Sequence, residues 1–255
     1  MRCSKKESSN PSKRAKKTQQ KTLSVSPQTL PQVTTLDSLE ELKTNQDLMN
    51  ILRMKTLKQL TWLSRNKNEH YKISFLKKKA STSKVAKLRK LHNPDNVIRL
   101  VQYRILSHIL SKVDIPDYIY GFEKGKSVIS AARCHLNKKV VISLDIKEFF
   151  DSIKQVRVEQ IFKELGIGED PSKILSELCT YRAYVPQGSL TAPKLSNIVA
   201  SKTFGPEIKE FCDKQGLSLS IYADDITISY NNEFPNVEQA KAFAASISAF
   251  VTNTV

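Results

Sequence analysis

The amino-acid sequence predicts an α+β fold in which an antiparallel sheet is backed by helices. Two short segments alternate apolar and polar residues around Ala223-Asp224-Asp225, which is the pattern of a β-hairpin. Apolar residues recur at helical spacing in several other segments, for example at Val158, Ile161 and Phe162. Nothing repeats at a fixed period, which argues against a solenoid.

From the N-terminus, order is expected to begin near Asp37-Ser38, a plausible helix N-cap. The helical stripe that follows includes Trp62, the only tryptophan, which we expect in the core. Tyr71–Leu76 and Leu88–Pro94 suit two strands joined by a basic loop. Asp95 is the expected N-cap of the next helix. The apolar stripe of that helix comprises Val97, Ile98, Val101, Ile105 and Ile109.

The second half of the chain alternates strands and helices. We expect Val140–Leu144 to form a short buried strand that ends in Asp145. Gly166 ends the next expected helix, and Asp170-Pro171 supplies an N-cap and a first-turn proline for the helix after it. The helix before the hairpin is marked by the apolar residues Leu195, Ile198 and Val199.

The composition excludes several classes of protein. With 255 residues, 40% of them hydrophobic, and only 7 glycines and 10 prolines, the chain is neither disordered throughout nor fibrous. The four cysteines show no Cys-x-x-Cys spacing, so we expect free thiols rather than a disulfide framework or a zinc site. No apolar run approaches the roughly 18 residues of a membrane span. We therefore expect a soluble, cytoplasmic protein without a membrane partner.

Positive charge is concentrated in two segments of the chain, whose formal net charge is +16. Residues 1–21 carry a net +7, and residues 51–110 carry fifteen Lys or Arg against two acids, a net +13. The rest is therefore mildly acidic, which suggests a polyanion-binding surface beside an acid-containing site. Nucleic acid is the leading polyanion. The alternatives are a solvated basic face and, for the first segment, a basic disordered tail.

Three carboxylates are expected at one edge of the sheet. Asp145 ends a strand, and Asp224 and Asp225 occupy the tip of the hairpin. If strand and hairpin are neighbours, the three side chains converge, and water or a cation must offset their repulsion. Mg²⁺ prefers such oxygen ligands, usually with substrate phosphates, and two ions can activate a 3′-hydroxyl and stabilise a leaving pyrophosphate. Taken alone, Asp224-Asp225 is more often an ordinary solvated turn, and an aspartate such as Asp145 is more often a cap at the end of a strand.

Three longer motifs resemble those of reverse transcriptases. They are Ser143–Ile153 around the first aspartate, the Pro-Gln-Gly segment Val185–Ile198, and Ile221–Ser229 with its Tyr-x-Asp-Asp hairpin. Upstream, Arg89–Gln102 resembles the fingers segment of that family, and Tyr120–Ser127 resembles its Gly-Phe-x-x-Gly-x-Ser element. The motifs follow the family's order over about residues 60–230, so the chain is identified as a member of the reverse transcriptase family.

The resemblance implies a right-hand polymerase fold, with fingers and with a palm whose antiparallel sheet is backed by helices. It also implies the reaction, which is RNA-directed DNA synthesis by phosphoryl transfer from dNTPs to a primer hydroxyl, with two Mg²⁺ ions. Asp145, Asp224 and Asp225 match the family's catalytic, metal-binding triad. The carbonyl of Ile146 matches a further metal ligand.

Other residues match positions that handle the nucleotide and the RNA. Arg89 matches the arginine that grips the incoming triphosphate, and Phe150 matches the steric gate that excludes a ribose 2′-hydroxyl. Gln187 and Gly188 match the contacts with template and nucleotide. The expected RNA-binding residues are Lys77, Lys78, Lys79, Arg99 and His135.

Within the family, the chain looks most like a retron enzyme. Ala131–His135 is similar to the retron Asn-Ala-x-x-His element, although alanine replaces the asparagine. A retron enzyme implies a structured non-coding RNA as template and primer, its DNA product, and an effector protein in defence against phage. The departure at Ala131 leaves group II intron and diversity-generating reverse transcriptases open. A catalytically weak RNA-binding scaffold is also open, although the three intact aspartates argue for chemistry.

The resemblance divides the chain into three parts. Residues 1–35 are expected to form a basic flexible tail, 36–120 N-terminal helices and fingers, and 121–255 a palm with interleaved finger elements. Thirty residues follow Asp225, and apolar spacing predicts one helix at 237–251. Reverse transcriptases continue with a primer-grip hairpin and a helical thumb, and one helix of about a dozen residues cannot supply both. We therefore expect a C-terminally truncated chain without a thumb that holds primer poorly.

Overall fold

A computed structural model describes residues 38–77, 88–231 and 245 of the chain. Its strands are β1 (Tyr71–Lys77), β2 (Leu88–Pro94), β3 (Val140–Asp145), β4 (Ser218–Tyr222) and β5 (Asp225–Tyr230). Its helices are α1 (Asn45–Leu52), α2 (Leu57–Asn66), α3 (Asn96–His108), α4 (Val128–Arg133), α5 (Phe149–Ser152), α6 (Gln155–Glu164), α7 (Glu169–Cys179), α8 (Ala192–Lys202) and α9 (Phe204–Lys214). Helices mixed with antiparallel sheets confirm the predicted α+β class.

The larger sheet has three antiparallel strands in the order β3–β5–β4. Strand β5 lies in the middle, with Val140 of β3 opposite Tyr230 at one end and Asp145 opposite Asp225 at the other. The tip of the β4–β5 hairpin therefore lies at the same end of the sheet as the last residue of β3. This register confirms the predicted hairpin and its position beside the strand that ends in Asp145.

Strand β3 is not the buried strand that its apolar residues predict. In the described part of the sheet it is an edge strand, and its residues alternate between partly buried and exposed, with Val141 55% exposed. The reason is that successive side chains of a strand point to opposite faces, and only one face of β3 is covered. A short apolar run does not by itself reveal whether one face or both will be covered.

Strands β1 and β2 confirm the two predicted strands, and they pair with each other as a separate antiparallel hairpin, in a register that pairs Tyr71 with Pro94. Helix α3 begins directly after β2. Its N-cap is the predicted Asp95, whose carboxylate accepts hydrogen bonds from the backbone N–H groups of Val97 and Ile98, at 2.9 and 3.1 Å. These bonds satisfy donors that have no partner within the helix, and they fix the point at which α3 leaves the hairpin.

One cluster of buried apolar side chains joins most of the helices to the sheet. Its largest fully buried members include Phe149, Phe162 and Phe204. Trp62 does not belong to it: the prediction that this residue is buried is wrong, since it is 55% exposed. The reason lies in the rotation of α2 about its axis, because Leu60, Leu63 and Ser64 occupy the buried face of that helix and Trp62 lies off it.

Helix α7 begins earlier than predicted. Its N-cap is Gly168 rather than Asp170, and Asp170-Pro171 lies within the first turn. Tertiary packing sets this start, because the Gly168 N–H donates to the carbonyl of Leu42 at 2.8 Å and a Cβ on Gly168 would lie only 2.1 Å from the carbonyl oxygen of Lys43. The proline is tolerated there because N–H groups of a first turn need no partner within the helix. The predicted helix end at Gly166 is confirmed by its φ of +83°.

Three cysteines, Cys134, Cys179 and Cys212, are free thiols as predicted. The fourth, Cys3, lies outside the described residues, as do the expected tail at 1–35, Lys78, Lys79 and all of the expected helix at 237–251 except residue 245.

Within the described ranges, no helix combines the length and the apolar character that a membrane crossing requires.

Candidate active site

Three aspartates lie at one end of the three-stranded sheet. Asp145 is the last residue of β3, and it pairs with Asp225, the first residue of β5. Asp224 precedes Asp225 in the hairpin turn, and its carbonyl accepts a hydrogen bond from the backbone N–H of Ile146 at 2.8 Å. Pairing within the sheet and this additional bond therefore bring together the three carboxylates that the sequence places in two distant segments.

The carboxylates interact through their charges. Asp225 remains accessible to solvent, but partial burial raises its pKa above the usual value, and the negative charges of Asp224 and Asp145 raise it further. Among the described residues, no three His, Cys, Asp or Glu side chains are gathered closely enough to hold a metal ion as they stand. The donor set nevertheless fits Mg²⁺, which binds through one or two carboxylates and completes its shell with water and substrate phosphates.

The tip of the hairpin is held by the segment that precedes α4. The Tyr120 N–H donates to the carbonyl of Ile221 at 2.8 Å, and Gly121 follows directly. A Cβ on Gly121 would lie 2.7 Å from the backbone nitrogen of Ala223, so only glycine allows this approach. Ala223 itself adopts a left-handed conformation, with φ of 57°. The first glycine of the Gly-Phe-x-x-Gly-x-Ser element, Gly121, is thus required by the close approach of the hairpin backbone. The sequence alone did not reveal this requirement.

A cleft of about 250 Å³ opens in front of Asp224. Five of the predicted site residues line it, namely Arg89, Phe150, Gln187, Gly188 and Asp224. Asp145 and Asp225 do not line the cleft, but Asp225 directly follows Asp224 in the chain and pairs with Asp145 in the sheet. The lining residues that the sequence analysis did not assign are Leu91, Phe122, Ser189, Ala192, Pro193 and Ala223. The fold therefore brings the predicted nucleotide-binding residues and the acidic tip of the hairpin into one site.

Gln187-Gly188 is joined to strand β2, which carries Arg89. The backbone N–H of His92 donates to the carbonyl of Gln187 at 2.7 Å. Gly188 has φ of +110°, and a Cβ there would lie 3.0 Å from the carbonyl oxygen of His92. Glycine is required both by this conformation and by this close approach. The connection places the two predicted nucleotide contacts on the same wall of the cleft as Arg89.

Two adjacent phenylalanines of α5 have different surroundings. Phe149 is 1% exposed and packs edge-on against Phe204 with 6.0 Å between ring centroids, so it belongs to the core. Phe150 is only partly buried and lines the cleft. Glu148, the N-cap directly before the helix, adopts a left-handed conformation with φ of 52°.

Of the predicted RNA-binding residues, the three that the structure describes, Lys77, Arg99 and His135, do not line the cleft. Lys77 ends β1 and Arg99 is exposed on α3. His135 contacts the two strands of the hairpin, where its Nδ1 is 2.6 Å from the hydroxyl of Ser229 and its Nε2 is 2.8 Å from that of Ser220. Burial, and then the charge of Lys138, lower the pKa of His135. This histidine thus bridges β4 and β5, and its contact with RNA stays a prediction, as do those of the lysines and Arg99.

Comparison with known proteins agrees with the motifs. Residues 76–252 match the family model of the reverse transcriptase (RNA-dependent DNA polymerase). The chain is 30% identical over 177 residues to the retron Ec86 reverse transcriptase of Escherichia coli, covering 69% of this chain and 54% of that protein. It is 34% identical over 187 residues to the retron Se72 reverse transcriptase of Salmonella heidelberg, covering 72% and 48% respectively.

A third relative, the retron Mx65 reverse transcriptase of Myxococcus xanthus, is 28% identical over 176 residues, which is 62% of this chain and 41% of that protein. The chain spans about half the length of these curated relatives. The family model covers more than half of the chain, including the cleft and the three aspartates. The chain therefore belongs to the reverse transcriptase (RNA-dependent DNA polymerase) family.

Proposed function

We propose that the chain carries the polymerase site of a retron-type reverse transcriptase, which copies RNA into DNA. A nucleotide is transferred from a dNTP to a primer hydroxyl, and pyrophosphate leaves. The single observation that carries this proposal is the cleft that Arg89, Phe150, Gln187 and Asp224 line together. The cleft thus offers a cation for the phosphates, an aromatic ring for the sugar, and the carboxylate of Asp224 for the reacting end, with Asp145 and Asp225 beside it. Phosphoryl transfer requires groups of these kinds.

Each lining residue has a role in the proposal. The guanidinium of Arg89 binds the triphosphate through parallel N–H donors. The ring of Phe150 occupies the space that a ribose 2′-hydroxyl would need, and so it selects deoxynucleotides. Gln187 and Gly188 align the template and the incoming nucleotide, since their backbone is tied to β2.

The carboxylates of Asp145, Asp224 and Asp225 and the carbonyl of Ile146 would hold two Mg²⁺ ions. Bound Mg²⁺ supplies Lewis-acid stabilisation of the charge that develops on the phosphate oxygens. The protein's own contribution is to hold three carboxylates at one sheet end despite their repulsion, through the Asp145–Asp225 pairing and the Ile146–Asp224 bond.

The proposal also assigns the parts of the fold. The β1–β2 hairpin and α1–α3 lie within residues 36–120 and would form the fingers, since β2 presents Arg89 to the nucleotide. The three-stranded sheet with α4–α9 lies within residues 121–255 and would form the palm, since it presents the aspartates. The template and primer would be a structured non-coding RNA. Its association with an effector protein in defence against phage rests on the retron resemblance alone.

Primer extension tests the function. The purified chain is mixed with an RNA template, an annealed primer, Mg²⁺ and one dNTP, and addition of the templated nucleotide is measured. Asp224→Asn should reduce addition by on the order of 100-fold or more, because it removes charge where the reaction needs it. The control Asp114→Asn changes an exposed aspartate outside the cleft and should leave the rate unchanged. No templated addition by the wild-type chain, or addition that Asp224→Asn leaves intact, would contradict the proposal.

A further inference from the structure

Phe122 is an aromatic residue of the cleft to which the sequence motifs assign no role. Its side chain is 51% exposed, and it lines the same cleft as Phe150 and Asp224. An exposed aromatic ring contributes little to the core, since the stabilisation from burying apolar area is only partly realised. The position of this ring is therefore not explained by packing of the protein alone.

The backbone of Phe122 is in an unfavourable conformation. Its φ of 59° lies in the left-handed region, which side chains other than glycine, asparagine and aspartate seldom adopt. Conformations of this kind persist where the surrounding structure holds them, and they are concentrated at functional sites. The turn thus holds a residue in an unfavourable conformation, and the ring of that residue lies at the cleft.

Buried polar contacts hold this turn on both sides of Phe122. The amide nitrogen of Asn197 donates to the carbonyl of Gly121 at 2.5 Å and to the carboxylate of Glu123 at 2.8 Å. The same carboxylate forms an ion pair with Lys194 at 3.0 Å, and both partners are largely shielded from solvent. Both Lys194 and Asn197 lie on α8, which follows the Pro-Gln-Gly segment. The residues before and after Phe122 are therefore anchored, and the ring between them is presented to the cleft.

The ring of Phe122 lies on the hairpin side of the cleft. Its centroid is 6.2 Å from that of Tyr222, with the ring planes tilted by 43°. Tyr222 directly precedes Ala223-Asp224, so the two rings form an apolar surface next to the acidic tip. Arg89, by contrast, is carried by β2, which is tied to Gln187. Phe122 thus belongs to the hairpin side of the cleft, and Arg89 to the side formed by β2.

From these observations we infer that Phe122 contacts the base pair at the primer end of the primer–template duplex and positions the primer terminus beside the aspartates. The inference rests on the proposed polymerase function. A nucleobase presents a flat apolar face, and aromatic side chains bind such faces regardless of base identity. Because the ring of Phe122 lies beside Asp224, we expect it to contact the primer end rather than the phosphates of the incoming nucleotide.

Fluorescence of a labelled primer end tests this contact without any synthesis. The primer carries 2-aminopurine as its 3′-terminal base, paired with uracil in an RNA template, and dNTPs are left out. Saturating wild-type protein should change the 2-aminopurine emission, because the terminal base meets an aromatic ring. Duplex affinity is measured in parallel by fluorescence anisotropy with a label at the far end of the primer.

Three variants separate the contact from an effect on folding. Phe122→Asn removes the ring but suits the left-handed backbone, so its melting temperature should be unchanged or higher, while duplex affinity falls by about tenfold. Its 2-aminopurine signal should be largely lost at saturation. Phe122→Tyr keeps the ring and should behave like the wild type. Ile129→Asn removes an exposed apolar side chain outside the cleft and serves as the matched control.

These measurements distinguish failure of the inferred contact from failure of the proposed polymerase function. The inferred contact is overturned if saturating wild-type protein leaves the emission unchanged, if Phe122→Asn gives the wild-type signal, or if Ile129→Asn loses the signal equally. A melting temperature that falls in Phe122→Asn together with the signal would show a structural role instead, which also overturns it. If the signals behave as expected but the wild-type chain adds no nucleotide, the contact stands and the polymerase function fails.

Discussion

Asp145 and Asp225 face each other across β3 and β5, in the last antiparallel pair of the two strands. Asp224 joins them through the hydrogen bond from the Ile146 N–H to its carbonyl. Backbone pairing thus holds three like charges at one end of a sheet, where their repulsion opposes folding. Partial burial is the largest cause of the raised pKa of Asp225, and the charges of Asp224 and Asp145 raise it further.

The contribution of Asp225 to the stability of the metal-free protein should therefore fall as the pH rises through the range in which Asp225 ionises. Its pKa is higher in the folded protein than in the unfolded chain, so the folded state binds the proton more tightly. The loss begins at the ordinary carboxyl pKa and is complete above the raised one. Asp225→Asn should flatten this part of the profile, measured as the free energy of unfolding by urea from about pH 3 to about pH 7 without divalent cations. An unchanged slope in Asp225→Asn, relative to Asp114→Asn, would contradict the coupling.

Phe150→Ala should increase incorporation of ribonucleotides, because removal of the ring leaves room for a 2′-hydroxyl. The measurement is the ratio of dNTP to rNTP incorporation in primer extension. Phe149→Ala is the matched variant, since it removes a neighbouring ring that is buried in the core rather than exposed to the cleft. It should cost about 3–5 kcal/mol of stability without a selective change in that ratio. An unaltered ratio in Phe150→Ala would make Phe150 a packing residue.

Trp62→Ala should cost less than about 1 kcal/mol of stability, because the side chain is half exposed. Leu63→Ala, at the next position of α2, should cost about 2–5 kcal/mol because that side chain is buried. Urea unfolding followed by circular dichroism compares the two without relying on the tryptophan that one variant lacks. Equal losses in the two variants would show that Trp62 is packed in solution.

RNA affinity should depend steeply on salt. Residues 51–110 carry a net +13, and neutralisation of only six phosphates gives a slope of log K against log salt concentration of about −4 to −5. Reversing the charges of Lys77, Lys78 and Lys79 should flatten that slope, as measured by filter binding over a range of salt concentrations. Reversal of Lys173, Lys209 and Lys214 provides the control, because these lysines lie outside the segment. A wild-type affinity that does not vary with salt would show that the basic segment is merely solvated.

Local patterns in the sequence determined much of the architecture. Alternation around Ala223-Asp224-Asp225 predicted the β4–β5 hairpin, and Asp95 predicted the start of α3, because turn and cap chemistry act between near neighbours. Motif order identified the family, and it named five residues that line one cleft. These features depend on residues close together in the chain, or on resemblance, so no tertiary information was needed.

Only the tertiary structure decided what depends on distant neighbours. The exposure of Trp62 follows from the rotation of α2 against the core, and the edge position of β3 follows from strand order. The start of α7 at Gly168 depends on Lys43, more than a hundred residues away in the chain. Phe122 could not be assigned from periodicity, because its strained turn is held by Asn197 of another element. Covering a face or holding a strained turn requires partners from elsewhere in the chain, and a local pattern does not specify them.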